Sequence, residues 1–216
     1  MSHEKPSIEL GSGLQIGYGK PIAKLDREIQ LGGGTHFLAA RNGRGKTTLL
    51  RTLARTLKQV SGNFRTQGFL QYLPEDLRFD PEIPAKTIFR AMLPSGRFRE
   101  AISLAGQIEL DVDKPYGRLS TGNRRKTSLI LAEFSVKETT GNILLLDEPF
   151  SGLDAFARQA FENLWQTSGD KVLRLVSCHP DYDDMLMPST IVISDGKLQH
   201  LRSESQCWSQ LKQQLN

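Results

Sequence analysis

Apolar and polar positions along the chain change period several times, and each change marks an element. Residues 8–16 and 22–31 alternate like short half-buried strands, with the turn Gly17-Tyr18-Gly19-Lys20 between them and Gly32-Gly33-Gly34 after them. His36-Phe37-Leu38-Ala39 is the next strand, and residues 47–54 carry apolar side chains at helical spacing. Gly62-Asn63-Phe64 and Gly68-Phe69-Leu70-Gln71-Tyr72-Leu73 predict a second hairpin, closed by the turn Pro74-Glu75-Asp76. Between about 82 and 110 the pattern is helical, broken at Pro94-Ser95-Gly96, and a longer helix starts near Gly122 and runs through Phe134.

Ile143-Leu144-Leu145-Leu146 has no polar face at all, the mark of a strand buried on both sides in a parallel sheet. A helix over 155–166, strands over 172–177 and 190–193, and an amphipathic helix over 205–215 complete an alternating order. The pattern predicts an α/β protein: a mainly parallel, helix-covered sheet, an antiparallel β-ribbon at the N-terminus, and a small helical subdomain over about 81–139 set into a core of 1–80 and 140–216.

Composition narrows the class. With 216 residues the chain can bury a sizeable core, and 38% hydrophobic with 24% charged residues is ordinary for a globular protein. No run approaches the roughly 20 apolar residues that cross a bilayer, and the start Met1-Ser2-His3-Glu4-Lys5-Pro6 lacks a secretory apolar stretch, so a cytoplasmic location is expected. Cys178 and Cys207 have no metal-ligand spacing. The net charge of +4 need not mean nucleic acid, because Arg41, Arg44, Lys46, Arg51, Arg55 and Lys58 cluster around a single loop whose ligand is itself anionic.

That loop is Ala40-Arg41-Asn42-Gly43-Arg44-Gly45-Lys46-Thr47-Thr48, between a strand and a helix. A loop of this kind cradles phosphate: backbone N–H groups from Asn42 to Thr48 ring the anion and the helix N-terminus adds partial positive charge. Lys46 is placed for the β- and γ-phosphates, the Thr47 hydroxyl for Mg²⁺ and Thr48 for the α-phosphate. Ala40 stands where the usual pattern has its first Gly. The strand ending Asp147-Glu148 supplies the partner acids: Asp147 to hold Mg²⁺ and Glu148 to orient or deprotonate water. Alone, Leu119-Ser120-Thr121-Gly122-Asn123 is a serine-capped helix start.

Taken in order, these segments resemble the ATP-binding cassette (ABC) ATPases, from Ile8 to about His200. The resemblance implies a signature at Leu119 to Asn123, departing from Leu-Ser-Gly-Gly-Gln at Thr121 and Asn123, a D-loop at Ser151-Gly152-Leu153-Asp154, a switch histidine at His179 and an adenine-stacking aromatic at Tyr18. The glutamine-loop position falls on Glu75 rather than Gln71, and Glu75 keeps an oxygen for Mg²⁺ or water. It further implies that Ser120 and Gly122 close over the γ-phosphate held by a second cassette, in a homodimer or paired assembly around two ATP, and that a separate transmembrane permease is the partner. The residues Leu119 to Lys126 look most like exporter-type cassettes that pair with ABC-2-like permeases. The alternative is a soluble single-cassette ATPase that drives protein-complex or cofactor assembly. A regulator without hydrolysis is disfavoured by intact Lys46, Asp147, Glu148 and His179.

Overall fold

In a computed structural model, residues 5–177, 185–213 and 215 are described. The strands are β1 (Ser7–Leu10), β2 (Gln15–Tyr18), β3 (Lys20–Leu25), β4 (Ile29–Leu31), β5 (Gly34–Ala40), β6 (Phe64–Gln67), β7 (Phe69–Leu73), β8 (Asn142–Asp147), β9 (Val172–Ser177), β10 (Ser189–Ser194) and β11 (Lys197–Arg202). The helices are α1 (Lys46–Leu53), α2 (Ala85–Met92), α3 (Ser95–Gln107), α4 (Thr121–Phe134), α5 (Ala155–Thr167) and α6 (Trp208–Lys212).

Among the described residues, eight strands form one sheet in the order β2-β3-β11-β10-β5-β9-β8-β7, and β4-β1-β6 form a small antiparallel sheet. From β10 to β7 the large sheet is parallel, as the alternating strand–helix order predicts. Its buried strands send alternate side chains to two cores. Ile143, Leu145, Leu173, Leu175, Ile191 and Leu38 face the side of α1 and the small sheet. Leu144, Leu146, Val176, Val192 and Phe37 face the side of α2 to α5. Three of those helices, α2, α3 and α4, fall between β7 and β8, where the sequence predicts a helical insertion.

Four expectations need correction. The stretches 8–16 and 22–31 are each two strands, because Gly11, Gly13 and the Asp26-Arg27-Glu28 bend turn the chain between the small sheet and the large one. The expected N-terminal antiparallel ribbon is present as β2 and β3, paired across the turn at Gly19 on the large sheet's edge, while β1 pairs with β4 and β6. Residues 62–73 are no hairpin. Gly68, at φ 126°, breaks the run, sending β6 to β1 and β7 to a parallel pairing with β8. The expected helix over 205–215 is confined to α6, and β11 was not anticipated at all although Asp195-Gly196, both at positive φ, is the turn a two-residue hairpin demands.

Candidate functional site

The phosphate-type loop sits at the C-terminal end of β5, where α1 begins. Gly43 and Gly45 have φ of 75° and 112°, a region that residues with a Cβ rarely enter, so the loop's tight course is written in those two glycines. A Cβ on Gly45 would also come within 3.0 Å of Ile22 Cδ1. Ala40 departs from the expected Gly without strain: it is 1% exposed and its methyl packs into the core on the α1 side.

Lys46, the first residue of α1, is buried, and its Nζ lies 3.4 Å from Glu148 Oε1 and 3.4 Å from the Ala40 carbonyl oxygen. The adjoining cleft, of about 700 Å³, is lined by the loop residues Arg41 to Gly43 and Gly45 to Thr48, by Tyr18 and Ile22 on one side, and by Glu75, Glu148 and Phe150 to Gly152 on the other, while Arg44 faces a separate recess beside α6. Glu75 is thus brought to the cleft, while Gln71 lies within β7 and lines a different, apolar recess under α4. Tyr18 is 60% exposed, so its ring is open to a ligand.

Asp147 closes β8 with 1% exposure, its Oδ1 accepting from the Ser177 hydroxyl at 2.7 Å and its Oδ2 from the Tyr72 hydroxyl at 3.4 Å. Burial, and then the charge of Asp147, push the Tyr72 phenol up to about 12, so it stays protonated and donates. Tyr72 and Ser177 thus hold the carboxylate by different oxygens from two flanking strands.

Ser120, Gly122 and Asp154 lie outside the residues that line the cleft. Ser120 caps α4, its Oγ accepting the Asn123 N–H at 3.2 Å, as its residue type predicts. Gly122 approaches the D-loop so closely that a Cβ there would stand 2.5 Å from the Gly152 carbonyl oxygen. Asp154 caps α5 through the Ala157 N–H at 2.7 Å and pairs with Lys126 Nζ at 2.9 Å; both contacts, the Ala157 bond foremost, hold its carboxyl below the usual range. His179 and Cys178 lie outside the described residues.

Sequence reasoning passed over Tyr72, Ser177 and Arg125. Arg125, buried in the first turns of α4, donates to the main-chain carbonyls of Pro74, Glu75, Asp147 and Glu148. Its only trace in the sequence is a cation just after the capped helix start, and surface arginines in such places are common.

Comparison with known proteins meets the same segments. The family model described as "ABC transporter" matches residues 28–151. An aliphatic sulfonates import ATP-binding protein, SsuB 2 of Pseudomonas savastanoi pv. phaseolicola, is 32% identical over 194 residues, covering 85% of this chain and 69% of that protein. The cytochrome c biogenesis ATP-binding export protein CcmA of Zymomonas mobilis is 34% identical over 140 residues, 63% of this chain and 61% of its own length. A solved ATP-binding subunit of an ABC transporter superposes with a TM-score of 0.75 at 17% identity, covering 96% of this chain and 98% of its own, which speaks for the fold.

Proposed function

This chain belongs to the ABC transporter family of ATP-binding cassettes, and from that premise we propose that it is the ATP-hydrolysing motor of an exporter, closing in pairs around two ATP and driving a separate transmembrane permease. ATP binding and hydrolysis come with the family. The observation that carries the site assignment is the meeting, in one cleft, of Lys46 and Glu148 at 3.4 Å beside the glycine-built loop.

On this reading the phosphates lie over the amides from Asn42 to Thr48, and Tyr18 offers its ring to adenine. Lys46 then exchanges its ion pair with Glu148 for one with the β- and γ-phosphates, because a polyphosphate carries more charge than a carboxylate. Glu148, released from Lys46, orients the attacking water and accepts its proton. Thr47 and Glu75 line the cleft and Asp147 ends β8 just before Glu148; all three offer oxygen donors, the kind a hard divalent ion takes, so these residues would hold Mg²⁺. Mg²⁺ supplies neutralisation of the charge that builds on the phosphate oxygens. His179 contacts the γ-phosphate in this scheme. Ser120 and Gly122, not among the residues that line their own chain's cleft, serve the nucleotide of the partner cassette.

Export is supported by the run Leu119 to Lys126 and by the short connection between Glu75 and Leu119. No helix among the described residues is long and apolar enough to cross a membrane. The test is Glu148→Gln, tagged and recovered from gently solubilised membranes with Mg-ATP. ATP binding persists, turnover is nearly abolished, and an ATP-bound dimer brings down a multi-span protein whose own substrate fixes the direction. Retained turnover would place the base elsewhere, and soluble partners alone would favour an assembly ATPase.

A further inference from the structure

Glu148 occupies a backbone conformation that side chains avoid, with φ at 48°. Residues with a Cβ persist in the left-handed region only where their surroundings over-determine it, and such positions gather at functional sites. The bonds that hold this one are on both sides of the residue. Its N–H donates to the Ser177 carbonyl oxygen at 3.1 Å and to Ser177 Oγ at 3.0 Å. Its carbonyl accepts from Arg125 Nε at 3.1 Å and also from Arg125 Nη2.

Arg125 makes its other bonds to main chain too. Nη2 also reaches the Asp147 carbonyl, and Nη1 donates to the carbonyls of Pro74 at 3.1 Å and Glu75 at 3.3 Å. At 7% exposure it is a buried cation; desolvation pulls its pKa down, and the charges of Glu75, Asp147 and Glu148 oppose that pull. One planar fork on α4 therefore fastens two loops that each carry a cleft carboxylate.

We infer that Arg125 is a positioning residue for Glu148: it fixes the φ of Glu148 and so the direction in which its carboxylate leaves the backbone, and it sets the spacing between that segment and the one carrying Glu75. The inference rests on the reading of Glu148 as the group that orients water. The direction of a Cα–Cβ bond follows from φ and ψ, so releasing the Glu148 carbonyl lets the carboxylate swing away from the cleft without touching any residue that binds nucleotide. Lysine substitutes only in part, because a single ammonium on a flexible stem does not reproduce a rigid fork of five N–H donors.

Arg125→Lys and Arg125→Met test this. Displacement by about 1 Å at a reacting centre costs on the order of 10²-fold in rate, so turnover falls by about that factor in Arg125→Met and by less in Arg125→Lys. Affinity for a hydrolysis-resistant fluorescent ATP analogue stays within about threefold, since the lost interaction is not one made to the ground state. Amide hydrogen exchange quickens at Glu75, Asp76, Asp147, Glu148, Phe150 and Ser151 and nowhere else. Turnover near the parent value in both variants overturns the inference, as does exchange that quickens throughout β5 and β8 with parallel loss of binding, which marks a general packing role. Arg125→Lys supplies the readout should Arg125→Met fail to fold. If Glu148→Gln is inactive while both Arg125 variants are active, only the positioning role fails; if Glu148→Gln is active, the underlying reading of the base fails.

Discussion

His36, Ser189 and His200 form a chain of side chains away from the nucleotide cleft, with His36 Nδ1 2.7 Å from Ser189 Oγ and Ser189 Oγ 2.8 Å from His200 Nε2. The Gly32 carbonyl, 2.9 Å from His36 Nε2, can only accept, so that nitrogen carries the proton and neutral His36 receives the serine hydroxyl at Nδ1. Burial lowers the pKa of His36, and burial, then Arg202, then His36 lower that of His200 to about 4 from an ordinary 6.5. Both rings bind fewer protons folded than unfolded, so their contribution to stability is complete above pH 6.5 and is lost as pH falls towards 4. The melting temperature should drop over that interval, and less steeply in His200→Gln than in the parent; equal slopes would count against it. Individual residues were legible where chemistry fixes spacing: Lys46, Thr47, Asp147 and Glu148 stand in short runs whose order is the signal. Arg125 was not, because its acceptors are main-chain carbonyls from two distant segments, and any residue type supplies a carbonyl.

Strand β9 carries an arginine at its centre, and that makes sense only between elements. Arg174, 2% exposed, donates from Nε to Glu133 Oε1 at 3.0 Å, from Nη2 to Oε2 at 2.7 Å and from Nη1 to Ser168 Oγ at 2.9 Å. Trp165 Nε1 donates to the same Glu133 at 2.8 Å, so the network joins α4, α5 and β9. Arg174→Met leaves the Glu133 charge buried and unpaired, which costs about 3–5 kcal/mol. Adding Glu133→Leu removes that charge and recovers much of the loss. Urea unfolding of the two variants gives the answer: a double variant no more stable than the single would show that packing, not the stranded charge, sets the cost. Element types followed from periodicity, but partners did not. The run 62–73 has strand character throughout, yet β6 and β7 belong to different sheets. A local pattern does not say which distant edge a strand will join.

For the whole molecule, the position of Ser120 relative to its own cleft has a consequence. If the signature of one cassette completes the site of another, subunits carrying Lys46→Ala and subunits carrying Ser120→Arg are each inactive alone. Mixed, they form one competent composite site, with turnover recovering to about a quarter of the parent's if exchange is random and the two sites of a dimer work independently. Turnover that stays at background after mixing would sink the in-trans arrangement.

The sequence alone determined the α/β class, the phosphate-type loop, the acid-ended strand and the order of motifs, because each depends on a local period or a short run of fixed chemistry. Tertiary structure decided the sharing of the N-terminal strands between two sheets, the addition of β11 and the burial of Arg125 against four carbonyls. Each of these rests on contacts between residues far apart in the chain, where the free energy lies in pairing and desolvation and leaves no periodic mark on the residues that supply it.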